Sequence, residues 1–180
     1  MGIEQKTPNA SIDDMIGRKM QYVEKVIVRN LAFVGEKAVN AARSLPSPPQ
    51  SLYWDSEAGE PKRNIPPHKD EGYIDWTANL RSSIGYIIVK HGEVVMMSDF
   101  QQVKNTASEG TEAGKRLAEK LAEKHHKGFV LIIVAGMNYA YYVQKKGYDV
   151  IASAELLAEK LVTDLIHAKH RIKDNWTEES

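Results

Sequence analysis

A long run of apolar residues near the start of the chain places the strongest constraint on the fold. From Ile12 to Leu45, apolar side chains recur at steps of three or four residues, which is the spacing of one face of an α-helix. An unbroken helix of about 34 residues would extend ~50 Å, whereas a compact domain of this size has a radius of gyration of only ~16 Å. The helix must therefore break, at Gly17 or Gly35, or project beyond the body, and a projecting apolar stripe needs a partner. The stripe consists of Ile12, Ile16, Met20, Val23, Ile27, Leu31, Val34, Ala38, Ala41 and Leu45.

The polarity of the two chain ends and a capping signal predict where the folded domain begins and ends. Ser11 has a side chain suited to an N-cap, and two aspartates follow it in the first turn. The helix is therefore predicted to begin at Ser11. We expect a single α+β domain over residues 11–172, with flexible segments at 1–10 and 173–180.

Three β-strands are predicted in the second half of the chain. The segments SIGYIIVK (83–90) and EVVMMS (93–98) flank His91-Gly92, a suitable two-residue hairpin turn. The run FVLIIVA (129–135) is continuously apolar, which predicts a central strand buried on both faces. These segments predict a small, mainly antiparallel sheet.

Two further helices complete the expected α+β fold. Helical spacing of leucines predicts helices over 112–127 and 153–170, both packed on the sheet, and 138–147 is predicted as a short helix or strand. Residues 44–74 hold six of the seven prolines and are predicted as an irregular insertion. Long loops of this kind are usually functional or disordered. Tyr53, Trp54 and Tyr73 indicate that parts of it dock on a surface.

Composition excludes several classes of protein. Lys plus Arg and Asp plus Glu number 24 each, so the chain lacks the basic excess typical of nucleic-acid or anionic-membrane binders. The absence of cysteine excludes disulfides, thiol catalysis and cysteine-based zinc sites. The first 14 residues contain no apolar signal-peptide core, and the longest apolar run is too short to span a bilayer. We expect neither membrane association nor specific nucleic-acid binding.

No group of residues has the spacing of a catalytic, cofactor or metal site. The segment GTEAGKR (110–116) differs from a phosphate-binding loop in spacing and lacks the Ser or Thr after its lysine. It is interpreted as the start of a helix. The pair His167 and His170 has Lys169 where a zinc helix has its glutamate. A metal-dependent enzyme, such as a nuclease using Asp75, His91 and Glu93, is an alternative that the spacing does not favour. The chain is expected to be non-enzymatic.

The stretch DWTANLRSSIGY (75–86) combines turn formers with the start of a strand. Asp75, Thr77 and Asn79 have short side chains that bond nearby backbone, and the sequence then changes to a β pattern. This predicts a turn that leads directly into the strand. Arg81 is expected to be anchored by a carboxylate, with Asp75 the nearest candidate in sequence.

This stretch and a later segment, GMNYAYYVQKKGYDVI, resemble the head–tail joining or tail-completion proteins of long-tailed bacteriophages and prophages. The motif order is preserved over roughly residues 20–168. The first motif is matched at Asp75, Thr77, Leu80, Arg81, Ser83 and Ile84, and the second at Gly136, Tyr139, Ala140, Tyr142, Val143 and Gly147. Trp76 is an extra residue, Gln144 replaces an acidic residue, and Ala78 replaces a glycine, which argues against positive φ there.

The resemblance implies a structural role in the virion rather than catalysis. Family members join the tail to the filled capsid at the neck, in a ring of identical subunits beside other neck and tail proteins. A monomer in isolation is compatible with this role. The implied location is the virion neck or tail, and the host cytoplasm during assembly. The residues expected in contacts are Ile16, Val23, Asp75, Trp76, Thr77, Leu80, Arg81, Ser83, Tyr139, Tyr142 and Gly147.

A second class of function stays open on the residues alone. Tyr53, Trp54, Tyr73 and Trp76 lie in or beside the proline-rich segment. Such an aromatic loop, spanning 53–76, suits a small ligand- or peptide-binding module. The tyrosines of the second motif likewise suit either core packing or an interface, where tyrosine is enriched.

Overall fold

The α+β prediction is confirmed by a computed structural model, which describes residues 9–46, 54–55, 57–61 and 73–177. A long N-terminal helix is followed by a three-stranded antiparallel sheet and further helices. In chain order the elements are α1 (Asn9–Arg43), β1 (Trp54–Asp55), β2 (Glu60–Pro61), α2 (Asn79–Ser82), β3 (Ile84–Lys90), β4 (Glu93–Met97), α3 (Ser108–Ala122), β5 (Phe129–Ala135), α4 (Ala140–Lys145) and α5 (Ala152–Thr177). None of the described helices is long and apolar enough to cross a membrane.

Helix α1 is one unbroken element of 35 residues, so the predicted break at Gly17 or Gly35 does not occur. The helix begins at Asn9, and the prediction of Ser11 as its N-cap was therefore wrong. Gly35 serves packing instead, because a Cβ at this position would lie 2.7 Å from the ring of Tyr86. The missing side chain lets α1 lie directly on the sheet.

The ends of β3 show how far α1 extends beyond the sheet. At one end, Arg43 Nη2 donates to the carbonyl of Ile84 at 2.6 Å. At the other end, Lys90 Nζ lies 2.7 Å from Glu24 Oε2. Residues 9–23 continue past this point for ~22 Å, at about 1.5 Å per residue. The helix therefore projects, which was the second of the two predicted possibilities.

The order of strands in the sheet is β4–β3–β5, and both pairs are antiparallel. Strand β3 is the buried central strand, and the prediction of 129–135 as a central strand was wrong in position although its bounds agree with β5. Helices α1 and α5 pack over Leu131 and Ile133, while α3 packs over Ile132 and Val134. Cover on both faces explains the continuous apolar run of an edge strand.

The hairpin between β3 and β4 is confirmed. His91 has φ 50° and Gly92 has φ 93°, the two positive values that favoured two-residue hairpin turns require. Lys90 lies opposite Glu93 in the register, but its amine contacts Glu24 of α1.

The described part of the proline-rich segment contains a small hairpin that the sequence did not predict. Strands β1 and β2 pair antiparallel, and Gly59 turns the chain with φ 66°. The carboxylate of Asp55 accepts hydrogen bonds from the main-chain N–H groups of Glu57 and Ala58, at 3.0 and 3.1 Å. Tyr53 and the rest of 47–53, 56 and 62–72 lie outside the described residues.

The segment GTEAGKR lies within the first turns of α3, which agrees with its interpretation as the start of a helix. Gly110 and Gly114 lie one turn apart on the face that packs against α2 and the start of β3. A Cβ on Gly114 would lie 2.6 Å from the carbonyl oxygen of Ser83 and 2.5 Å from the ring of Phe100. The two glycines therefore permit close packing of the backbone.

We predict that Gly114→Ala destabilises the fold by about 1–3 kcal/mol, because the added methyl group would overlap backbone that cannot move away. Gly17→Ala is the matched control, since a Cβ at Gly17 meets no atom within 4 Å. This control is expected to stabilise α1 by about 0.5–1 kcal/mol. Denaturant unfolding of both variants measures the difference, and equal effects would contradict the packing argument.

Candidate interaction surface

The two sequence motifs meet in space although they are far apart in the chain. A cleft of about 440 Å³, which we call the motif cleft, lies between them. The first motif contributes Asp75, Trp76, Thr77, Asn79 and Leu80, and the second contributes Met137, Asn138, Tyr139 and Val143, with Ile74 and Glu109 completing the lining.

Short side chains hold the turn of the first motif, as predicted for Asp75 and Thr77. Asp75 Oδ2 accepts from the main-chain N–H of Arg81 at 2.8 Å, and Thr77 Oγ1 accepts from that of Asn79 at 3.3 Å. The turn does not lead directly into β3, because the four-residue helix α2 lies between them. The prediction missed this helix, which is too short to give a periodic pattern.

Ala78 adopts the left-handed conformation, although alanine in place of the motif's glycine argued against it. Its φ is 61° and its ψ is 9°, and its side chain is buried. A non-glycine residue there costs about 1–2 kcal/mol. The turn is therefore held in place by its surroundings.

Arg81 makes different contacts from those predicted. Its guanidinium donates to the carbonyls of Arg43, at 3.2 Å, and Leu45, at 2.6 Å, while Asp75 binds the Arg81 main chain. The guanidinium carbon also lies 5.4 Å from the ring centroid of Tyr73. Burial raises the pKa of Tyr73 well above its usual range.

Buried polar side chains connect the first motif to the second. Ser83 Oγ donates to the carbonyl of Leu80 at 2.7 Å and accepts from the main-chain N–H of Met137 at 3.3 Å. The Ser83 carbonyl accepts from the N–H of Gly136 at 3.1 Å. Ser83 is fully buried, so these bonds form away from water and fix the relative position of the two motifs.

Two residues outside the predicted site take part in the same network. Asn79 Oδ1 accepts from the N–H of Gly110 at 3.3 Å, and Ser82 Oγ accepts from the N–H of Val103 at 2.9 Å. Both side chains are buried. The polar residues that surround Leu80 within 79–83 were the available signal, but a sequence pattern does not reveal which buried polar groups find partners.

The aromatic residues around the cleft divide into core and surface groups. Tyr139 is half-buried against Leu80 and Met137, and burial raises its pKa while the Thr77 side chain opposes the change. Tyr142 is 67% exposed and packs edge to face against the exposed Tyr141, with ring centroids 6.1 Å apart. Core packing therefore describes Tyr139, whereas the interface interpretation stays a prediction for the exposed Tyr141 and Tyr142.

Tyr142 also lines a second cleft next to the first. This cleft measures about 350 Å³ and includes Tyr73, Tyr148 and Lys146. Gly147 ends the segment with φ 92°, a conformation that glycine adopts without strain. Trp76, at 45% exposure, lies at the rim of the motif cleft, where its carbonyl accepts from Lys104 Nζ at 3.2 Å.

The residues of the metal-enzyme alternative are not brought together. His91 and Glu93 lie at the hairpin turn, while Asp75 lies beyond the opposite end of β3. Seven strand residues, about 23 Å at 3.3 Å each, separate the two positions. Within the described residues, no group of three or more His, Asp or Glu side chains is arranged to hold a metal ion.

The projecting part of α1 forms a second exposed surface, which we call the N-terminal stripe. Ile16 is 52% exposed and Val23 49%. Burial of apolar surface is worth about 25 cal/mol per Å², so the stripe leaves several kcal/mol of stabilisation unused. Large exposed apolar patches often mark interaction sites. The stripe consists of Ile12, Ile16, Met20 and Val23.

Comparisons of the chain with protein-family models, with curated proteins and with solved structures found no match.

We predict that Arg81→Ala lowers the free energy of unfolding by about 2 kcal/mol or more, because two main-chain carbonyls lose a charged donor. Lys90→Ala is the control, since it removes one partly exposed ion pair worth at most about 1 kcal/mol. Thermal unfolding compares the two. Equal and small effects would show that the Arg81 contacts do not hold α1 to the turn.

We also predict opposite tolerances at Ala78. Valine is expected to cost about 2 kcal/mol or more, because a β-branched residue is strongly disfavoured at positive φ. Glycine is expected to change stability by less than about 1 kcal/mol, since the relieved strain offsets the lost methyl burial. If valine is tolerated as well as glycine in denaturant unfolding, the left-handed turn is not required.

Proposed function

We propose that the protein is a non-enzymatic structural subunit of a phage or prophage neck or tail, which joins the tail to the capsid during virion assembly. The observation that carries the proposal is the union of the two motifs. Asp75, Thr77 and Leu80 of the first motif line the motif cleft together with Tyr139 and Val143 of the second. The Ser83 carbonyl also accepts a hydrogen bond from the N–H of Gly136, which links the two motifs directly. A resemblance carried by a common fold would bring the two motifs together in this way.

The exposed surfaces support an assembly role. The N-terminal stripe leaves apolar side chains in water on a helix that projects beyond the sheet. The motif cleft adds the exposed aromatic rings of Trp76 and Tyr142 nearby, and aromatic residues are enriched at the centres of interfaces. The proposed partners are further copies in a ring and other neck or tail proteins. The proposed location is the virion, after assembly in the host cytoplasm.

Deletion of the gene from a functional phage tests the role directly. Filled heads and separate tails are the expected products, seen by electron microscopy, and expression of the intact chain in trans should restore joined particles. Normal virions from the deletion would refute the proposal.

A ligand- or peptide-binding module is the second candidate. The motif cleft favours it, because Trp76 and Tyr139 place aromatic rings beside the polar side chains of Asp75 and Asn138. Tryptophan fluorescence measured across a ligand and peptide screen tests this candidate. The Trp76→Phe variant assigns any response to the cleft, and a folded protein that responds to no compound would count strongly against it.

We predict that Ile16→Glu/Val23→Glu removes head–tail joining while leaving the fold intact, because two charges on the N-terminal stripe would be buried in the contact. Gln21→Glu/Lys25→Glu is the matched control, which places the same side chains at exposed polar positions of the same helix. An in vitro joining assay with purified heads and tails measures function. Light scattering measures self-association, and circular dichroism checks folding.

Self-association and templated assembly give different results in these assays. If the free protein forms oligomers, the double variant is expected to be smaller than the control by light scattering. If the ring forms only on the capsid or tail, both are monomeric and differ in joining alone. A folded double variant that joins heads to tails as well as the wild type would defeat the role of the stripe.

A further inference from the structure

Both edges of the sheet are open in the described part of the chain. Strand β3 is paired on both sides, whereas β4 and β5 each pair only with β3 among the described residues. An open edge presents unpaired main-chain N–H and C=O groups, and proteins usually protect it with charges, proline or a cover. Strand β5 contains neither a charged residue nor a proline, and β4 has its one charge, Glu93, at its end.

The open edge of β5 lies beside an apolar groove. The groove has a volume of about 890 Å³ and runs between β5 and α5. Its apolar lining includes Leu131, Ile133, Ile151 and Val162, and Glu155 of α5 contributes a carboxylate. A smaller cavity of about 240 Å³ adjoins it and shares Phe129 and Val162. A strand added to β5 would therefore gain main-chain hydrogen bonds and apolar contacts together.

Strand β4 has the chemistry of such an added strand. Val94, Val95 and Met96 are exposed by 48%, 40% and 38%, an unusual amount for consecutive apolar residues on a sheet. The register shift between Ile88 and Val89 leaves Val95 without a partner on β3. The β4 edge is thus short, apolar and accessible, and it lies on the opposite side of the sheet from β5.

We propose that β4 of one copy pairs with β5 of another, so that the sheet continues from subunit to subunit. The two edges lie on opposite sides of one sheet and cannot pair within a chain. Pairing of β5 with the β5 of a second copy would leave the apolar β4 edge in water, whereas β4–β5 pairing covers both edges. Each copy then offers one edge of each kind, and such a head-to-tail contact repeats as a closed ring or an open filament. The interface is separate from the motif cleft and the N-terminal stripe, and it does not depend on the neck role.

The faces of the sheet define which residues would meet. Val94 and Val130 both pair with Val89, so they lie in one row and on one face of the sheet. Leu131 pairs with Ile88 and lies on the other face. Strands β4 and β5 run parallel to each other within one chain, because each is antiparallel to β3. If the sheet continues between copies with the same parallel orientation, Val94 of one copy and Val130 of the next share a face, while Leu131 does not.

Disulfide trapping tests this interface, and the chain is suited to it because it contains no cysteine. The full-length single variants Val94→Cys and Val130→Cys, one carrying a size tag, are mixed and oxidised. The expected product is a mixed dimer on a non-reducing gel, with little dimer from either variant alone. The double variant Val94→Cys/Val130→Cys is expected to give a ladder of multimers. Pairs of suitable strand positions have the Cβ separation that a disulfide requires.

Three controls separate a specific interface from collision. Val94→Cys mixed with Leu131→Cys places the thiols on opposite faces, and Val94→Cys mixed with Glu119→Cys uses an exposed position of α3. Both mixtures are expected to give much less mixed dimer. Val95→Lys changes an exposed side chain of β4 and is expected to abolish the ladder of the double variant without unfolding the protein, as checked by circular dichroism.

Several outcomes would overturn the proposal. One is the absence of a mixed dimer from folded variants at high protein concentration. A stronger product from Val130→Cys alone would instead indicate β5–β5 pairing in a two-fold dimer. A ladder that persists at full strength with Val95→Lys would show that the thiols meet by collision.

Discussion

The contact between the Arg81 guanidinium and the end of α1 determines how the other elements are placed. The last carbonyls of a helix have no partner within the helix. Arg81 donates to that of Arg43, the last residue of α1, and to the carbonyl of Leu45 two residues beyond it. A positive charge at the C-terminal end of a helix also interacts favourably with the helix dipole. Arg43 in turn donates to the carbonyl of Ile84, the first residue of β3. Burial lowers the pKa of Arg43, but arginine remains charged at any physiological pH. Helix α1, the 75–83 turn and the central strand are thereby joined in one closed set of contacts.

Close backbone packing extends this set to the second motif. Gly110 and Gly114 allow α3 to approach α2 and β3, and a Cβ on Gly136 would overlap the backbone of α3. Ser83 then bonds to Gly136 and Met137 across the same contact. The glycines permit the close approach, and the buried Ser83 hydroxyl forms its hydrogen bond across it, so the bond depends on the glycines. Most motif residues therefore hold the main chain in place, while the side chains of Trp76 and Tyr142 are exposed to solvent.

The periodicity of the sequence predicted the helices and strands well, but it predicted poorly which elements and groups lie next to each other. The bounds of β5 and the His91-Gly92 turn follow from local chemistry, and both agree with the structure. The edge position of β5 does not follow, because an apolar run reports that both faces are covered and says nothing about main-chain pairing. The partners of Arg81 were missed for a related reason, since side-chain patterns contain no information about carbonyls at and just beyond the end of a distant helix. Ala78 was misjudged because the rule for positive φ is statistical, and tertiary contacts outweigh it here.

The exposed apolar side chains of this chain are separate from the apolar core that stabilises its fold. The core residues of β3 are fully buried, so the fold does not lack apolar material at its centre. Exposed apolar side chains include those on the projecting part of α1 and those on β4. Apolar side chains that stay in water do not stabilise the fold, because they lower the free energy only when they are buried. Their separation onto different sides of one small body means that no single intramolecular movement could cover them all. Contacts with more than one neighbouring molecule would cover them, which is the arrangement that a subunit of a larger assembly requires.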